Sequence, residues 1–188
     1  YRRGLSVPLE YRGKRLFLQF DGAAHFAEVY LNGEKLAEHA CGYTAFRVEI
    51  TSAVRYGMEN RLAVRLDTTE NPAVPPFGFV LDYLAYGGLY REVWLDVRGA
   101  DVIEDVFVTT PTLTRAEIAL TVSGSGARRR VTLLDAAGAV CAMAEGDDNK
   151  YYVNCSNARP WTLDDPNLYS IRAELLDASG AVTDEKTV

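Results

Sequence analysis

Cysteine and histidine are scarce in this sequence, with three and two copies among 188 residues. Three cysteines give no disulfide framework for a chain of this size, and none stands at metal-ligand spacing. Cys41, Cys141 and Cys155 therefore read as reduced, mostly buried thiols of a cytosolic protein, the expected compartment being cytoplasmic. One alternative stays open: Cys141 and Cys155 could face each other on neighbouring strands. His25 and His39 belong to no His-Glu-x-x-His motif and no nucleophile elbow, and each is expected at the surface or in a hairpin. No segment keeps a 3.6-residue apolar stripe long enough for a helix, although Thr51 to Tyr56 has room for a single helical turn before Gly57. No apolar run approaches the roughly 20 residues a membrane span requires. Cations are outnumbered 20 to 26, leaving a net charge of -6 and a pI near 5.0. That balance argues against a nucleic-acid partner, which needs clustered positive charge. The one basic run, Arg128-Arg129-Arg130, follows Gly124-Ser125-Gly126-Ala127 and reads as a solvated turn entering a strand. The chain opens at Tyr1 rather than methionine, which leaves room for upstream residues, a leader peptide among them.

What the sequence does contain is period-two apolar patterning punctuated by Gly, Asn, Asp and Pro. With 48% hydrophobic and 24% charged residues, this predicts a globular, all-β, antiparallel protein. Leu16, Leu18 and Phe20 share one face, as do Phe46, Val48 and Ile50, and Leu62, Val64 and Leu66. Val29 and Leu31 run into Asn32-Gly33, a strong hairpin signal because both residues accept positive φ. From Asp67 to Leu81 the pattern breaks, since Pro72, Pro75 and Pro76 each remove a ladder donor. A structured loop of that length in a compact domain is usually functional.

After Val97 the run Arg98-Gly99-Ala100-Asp101 reads as a linker, giving two domains, residues 1–99 and 100–188. The second carries inward rows at Val106 and Val108; Ile118, Leu120 and Val122; Val131 and Leu133; Val140 and Ala142; Tyr151 and Val153; and Tyr169, Ile171, Ala173 and Leu175. Several short strands of this kind suggest an immunoglobulin-like sandwich. Trp161 to Tyr169 reads as a proline turn with Trp161 as an aromatic plug.

The stretch Phe79 to Leu95 organises the first domain: a loop bearing Asp82 and several aromatics, the Gly87-Gly88 turn, then a strand. Leu89, Val93, Leu95 and Val97 alternate with Tyr90, Glu92, Trp94 and Asp96. Arg91 falls in the apolar phase, where a guanidinium survives only against a carboxylate or several carbonyls, so a structural ion pair is expected.

The run Gly87-Gly88-Leu89-Tyr90-Arg91-Glu92-Val93 resembles the Gly-Gly-Ile-Tyr-Arg-Asp-Val signature that ends the sugar-binding domain of family-two glycoside hydrolases. Phe17 to Gly22, Val29 to Gly33, Gly42 to Phe46 and Asn60 to Val64 agree with that family in order and spacing. Trp161 to Tyr169 is similar to its Trp-Ser-Pro-Glu-x-Pro-Asn-Leu-Tyr run. The resemblance implies a jelly-roll, galactose-binding-like domain truncated at its start, then an immunoglobulin-like domain, with the catalytic (β/α)₈ barrel expected beyond Val188. Glycoside hydrolysis needs two carboxyl groups about 5 to 10 Å apart. No such pair stands out among the 26 acidic residues. In the family both catalytic carboxylates come from the barrel, so this chain alone is expected to be inactive and to contain no catalytic residue.

Asp82, six residues before Gly88, matches the position from which the β-galactosidase members of the family reach into the barrel's active site. The resemblance implies that Asp82 accepts hydrogen bonds from substrate hydroxyls and helps ligate a monovalent cation in the complete enzyme, with sodium and magnesium as its ions. An ionised carboxylate suits the role because it only accepts, so two sugar hydroxyls can donate to it at once. Alternatively Asp82 caps the turn or pairs with Arg91. Phe77, Phe79, Tyr83 and Tyr86 are expected to pack on the barrel and to be exposed without it. The implied partners are the barrel of the same polypeptide, a β-galactoside and further copies of the complete enzyme. The alternatives are part of a β-glucuronidase, or a free-standing carbohydrate-binding or adhesion module.

Overall fold

The computed structural model describes residues 1–75, 85–124 and 126–188. Backbone packing separates two compact units, Tyr1–Arg98 and Gly99–Val188.

Unit 1 is a jelly-roll sandwich. Its elements are β1 (Arg2–Ser6), a 3-10 turn at Leu9–Tyr11, β2 (Arg15–Phe20), β3 (Ala23–Ala24), β4 (Phe26–Leu31) and β5 (Glu34–Ala40). After these come β6 (Phe46–Glu49), β7 (Glu59–Asp67), β8 (Gly88–Leu89) and β9 (Val93–Arg98). One sheet runs β1-β7-β4-β5, the other β6-β2-β9, and β3 pairs with β8 at one end. The core lies between the two larger sheets. Leu16, Leu18, Phe20 and Val48 meet Val29, Leu31, Leu62 and Val64 there, the inward rows of the alternating pattern. Asn32 (φ 54) and Gly33 (φ 93) close the β4–β5 hairpin in the left-handed conformations the pair favours. Thr51 to Tyr56 makes only a turn, with the Ala53 and Val54 amides both donating to the Ile50 carbonyl.

The strand through Arg91 is interrupted, which corrects the expectation of a buried ion pair. Tyr90, Arg91 and Glu92 leave the ladder between β8 and β9. Arg91 is exposed, with its guanidinium 5.4 Å from the Tyr90 ring centroid. Among the described residues it makes no ion pair. Turning outward spares the guanidinium a desolvation cost that no described carboxylate would offset.

Glu28 on β4 is the buried charge that is met. Its carboxylate accepts from Lys35 Nζ at 2.6 Å and Arg65 Nη1 at 2.8 Å. These two hydrogen bonds, Lys35 first, hold its pKa down to about 2 against an ordinary 4.5. A depressed folded pKa gives stability that is complete above the unfolded value and lost as pH falls through the folded one. Urea midpoints should therefore drop between pH 4.5 and 2, and Glu28→Gln should flatten that part of the profile; equal slopes would show that the pair is not coupled to folding.

Unit 2 is an immunoglobulin-like sandwich of β10 (Val102–Thr112), β11 (Arg115–Ser123), β12 (Arg128–Leu134), β13 (Val140–Gly146), β14 (Lys150–Asn154), β15 (Ser170–Leu176) and β16 (Val182–Thr187). The sheets are β10-β11-β14 and β13-β12-β15-β16. Ile118, Leu120, Tyr151 and Val153 from one face Val131, Leu133, Ile171, Ala173 and Leu175 from the other. The three arginines open β12 itself rather than a turn. Arg128 and Arg130 each contact Glu145 at 2.9 Å, a cross-strand clamp.

Two inward expectations fail here. Val140 is 62% exposed because β13 bulges between Val140 and Ala142 where both face β12, and the extra residue reverses the alternation. Trp161 is 56% exposed and is no plug. Its loop is held instead by polar bonds: Asn167 Nδ2 donates to the Pro160 carbonyl, Thr162 N to the Asp165 carbonyl, and Arg159 pairs with Asp165.

Candidate functional site

Asp82, together with Phe77, Phe79 and Tyr83, lies outside the described residues. What the structure describes is the end of unit 1 that flanks them in sequence. Four glycines assemble it, and each has a reason. Ala23 pairs with Leu89 and Ala24 with Gly88, which ties β3 to β8. Gly88 has φ +91, a left-handed conformation that disfavours side chains, and a Cβ there would lie 2.6 Å from the Tyr1 hydroxyl. A Cβ on Gly87 would lie 2.7 Å from Thr68 Cγ2. Gly22 leaves room for the Tyr90 ring, whose Cζ lies 2.8 Å from where a Cβ would stand. The Tyr90 hydroxyl then donates to the Gly42 carbonyl.

Gly42 is the junction with the least give, because its neighbour is a short side chain and its backbone. Its missing Cβ would sit 2.9 Å from Ala24 Cβ and 3.2 Å from Ala24 Cα, and its amide donates to the Pro75 carbonyl at 3.5 Å. Gly42→Ala should cost about 2 kcal/mol, because backbone rather than a mobile side chain must yield. An unchanged urea midpoint would show that the rim relaxes freely.

Beside this frame lies a cavity of about 510 Å³ lined by His25, Phe26, Asp67, Thr69, Asn71 and Val74, among others. The His25 amide donates to the Asp67 carbonyl at 3.1 Å, fixing the ring at the cavity wall. His25 is half-buried, and its Nε2 is enclosed with no hydrogen-bond partner among the described residues. It is thus neither a surface nor a hairpin histidine, because the chain enters β4 directly beneath the 68–75 loop. His39 does lie on a hairpin strand, stacked on Phe46 at 4.3 Å with a ring nitrogen 2.8 Å from Thr44 Oγ1. The Thr69 backbone N–H, then its side chain, hold the Asp67 carboxyl below its ordinary pKa, helped by Arg65. Asn71 Oδ1 accepts from the Ala73 amide, and a bridge joins Asn71 to Val74, so the prolyl loop is locally ordered without a ladder.

The arrangement offers hydrogen-bonding groups at the rim of a sandwich. Among the described residues there is no grouping of His, Cys, Asp and Glu suited to a metal ion. Tyr86 is 69% exposed. Sequence reasoning missed the frame formed by Gly22, Gly42 and Tyr90. Its signal was two glycines outside turns, where the need is close packing rather than positive φ.

Comparison with known proteins gives a consistent picture. Residues 1–75 match the model for the glycosyl hydrolase 2 galactose-binding domain-like family, and residues 102–188 match that for glycosyl hydrolases family 2. A β-galactosidase of Thermoanaerobacter pseudethanolicus is 32% identical over 201 residues, covering 100% of this chain and 27% of that protein. A putative β-glucuronidase of Formosa agariphila is 28% identical, covering 97% of this chain and 23% of that protein. A β-glucuronidase from Ruminococcus gnavus, solved in complex with D-glucuronic acid, superposes with a TM-score of 0.83 at 26% identity. It is matched over 100% of this chain and 35% of its own. The chain thus spans 23% to 35% of the lengths of these relatives. With both domains matched in the order that its motifs imply, the chain belongs to glycoside hydrolase family 2, of which it carries the galactose-binding-like and immunoglobulin-like domains.

Proposed function

We propose that this chain is the non-catalytic, amino-terminal part of a retaining glycosidase that hydrolyses terminal β-galactosides, and that Asp82 contacts the sugar in a pocket built by a barrel of the same polypeptide. The observation that carries this reading is the placement of the Gly87-Gly88 turn. The turn is pinned against Ala24, Thr68 and Tyr1, so that the segment bearing Asp82 leaves from a rigid rim. Loops that leave a rigid scaffold are where binding groups usually sit. In the complete enzyme Asp82 would also be one ligand of a monovalent cation.

β-Glucuronide hydrolysis is the second reading, favoured by the Formosa and Ruminococcus relatives, which lie about as close as the β-galactosidase. Complete enzyme assayed on nitrophenyl galactoside and nitrophenyl glucuronide separates the two. Asp82→Ala should lower kcat/KM about a hundredfold on the better substrate. That is the loss expected from two hydrogen bonds to a charged group at roughly 1.5 kcal/mol each. Undiminished turnover on both substrates would remove Asp82 from the site.

A further inference from the structure

Cys141 and Cys155 come from different sheets of unit 2 and converge. Cys155 continues the inward row of β14 after Tyr151 and Val153, and is buried, its amide donating to the Thr114 carbonyl at 2.8 Å. Cys141 reaches the same place through the bulge in β13. In an unbroken ladder it would share the outward phase of Met143, but the register shift between Leu133↔Ala142 and Leu134↔Val140 packs it against the core beside Ala142. Re-aiming one side chain is what a bulge does. Both cysteines line a solvent-open cavity of about 530 Å³ with Asp135, Asn154, Asn157 and Tyr169. Both side chains belong to the hydrophobic cluster of unit 2, and both are free thiols in this structure.

We propose that Cys141 and Cys155 form a reversible disulfide that clasps the two sheets of unit 2, made by exchange with a low-molecular-weight disulfide such as oxidised glutathione. The step balances. One cysteine thiolate attacks a glutathione sulfur, forming a mixed disulfide and releasing one glutathione. The second cysteine displaces the other glutathione and closes the protein S–S bond. Two protons and two electrons leave the protein and appear in two glutathione thiols. The cavity supplies the approach, and the second thiol, already in place, supplies the resolving group. Burial, then the neighbouring Cys155, pushes the Cys141 thiol above its ordinary pKa, so the exchange speeds up as pH rises from 7 to 8.5. Cys41 is an internal control, since a hydrogen bond with the Thr44 side chain holds its thiol below the ordinary value and unit 1 contains no other cysteine.

The test is to treat the native chain with oxidised glutathione at pH 8.5, block remaining thiols with iodoacetamide, digest with trypsin and map masses. Cleavage after Lys150 puts the two cysteines on separate peptides, so the expected product is one species joining them, two hydrogens lighter than their sum. Cys41 should carry glutathione or the alkyl block. The melting temperature should rise by roughly 10 °C and return on adding dithiothreitol, as a cross-link closing a short loop predicts. Cys141→Ser, altered at the half-exposed member, should show neither the joined peptides nor the rise. Recovery of Cys141 and Cys155 as alkylated thiols, or as separate glutathione adducts, would overturn the pairing. Joined peptides with an unchanged melting temperature would overturn the clasp.

Discussion

Asn60→Ala should destabilise unit 1 by about 4 kcal/mol, enough to leave much of it unfolded at 37 °C. Asn60 on β7 is fully buried at 0% exposure. Its Nδ2 donates to the carbonyls of Leu5, Arg55 and Met58 at 3.3, 3.0 and 3.2 Å. Its Oδ1 accepts from the Arg55 amide at 2.8 Å and from Asn32 Nδ2 at 2.9 Å. One side chain therefore closes the 55–60 turn, secures β1 and braces the β4–β5 hairpin. Alanine takes this partner from an amide, from one of the two N–H groups of Asn32 Nδ2 and from three carbonyls, all at a buried position. Each orphaned group costs about 1 to 3 kcal/mol, and water can reach only some of them. Asn60→Asp should fare no better, since an oxygen replaces the donor aimed at three carbonyls. Urea unfolding followed by circular dichroism checks both; a loss under 1 kcal/mol for Asn60→Ala would mean that the network is redundant.

Asn60 also shows what a sequence can and cannot reveal. It lies in the inward phase of Leu62, Val64 and Leu66, so a buried polar residue could be flagged there, but its five hydrogen bonds go to four residues, Leu5, Asn32, Arg55 and Met58, in three segments that no local pattern connects. The strands were legible because half-buried antiparallel sheets write their burial as alternation, and Asn32-Gly33 was legible because few residues accept two consecutive left-handed conformations. Errors arose where one residue changes the phase or where a side chain has a second solution. The bulge at Cys141 turned Val140 outward and a thiol inward. Arg91 avoided burial by leaving the ladder and stacking on Tyr90. Aromatic size suggests a plug at Trp161, whereas the turn closes on Asn167 and Asp165 hydrogen bonds instead. For the site, the Gly87-Gly88 signal located the rim. The need for bare glycine at 22 and 42 depends on Tyr90 and Ala24 approaching from elsewhere in the fold.

The aromatic centre of unit 1 should be about as costly to empty. Phe20 closes β2 with no exposed surface, its ring lies parallel to Phe46 at 4.7 Å, and Phe46 stacks in turn on His39 at 4.3 Å. Truncating a buried phenylalanine to alanine costs about 3 to 5 kcal/mol through lost transfer energy and the void left behind. The lower end applies here. Phe20 also borders a groove of about 480 Å³ lined by Tyr1, Leu62, Leu89 and Trp94, among others, so the vacated space joins an opening that solvent can enter rather than remaining a sealed cavity. Phe20→Ala should thus lower the melting temperature of unit 1 by roughly 15 °C, the shift expected of about 3 kcal/mol in a domain of this size. Phe20→Leu should recover more than half of the loss by refilling the volume without the ring stack. Because Phe46 is held from both sides, His39→Ala should cost more in the Phe20→Ala background than alone, a non-additivity that a double-mutant cycle measures directly. Strict additivity would mean that the two stacks act independently, and a melting shift under 3 °C for Phe20→Ala would place the centre of the core elsewhere.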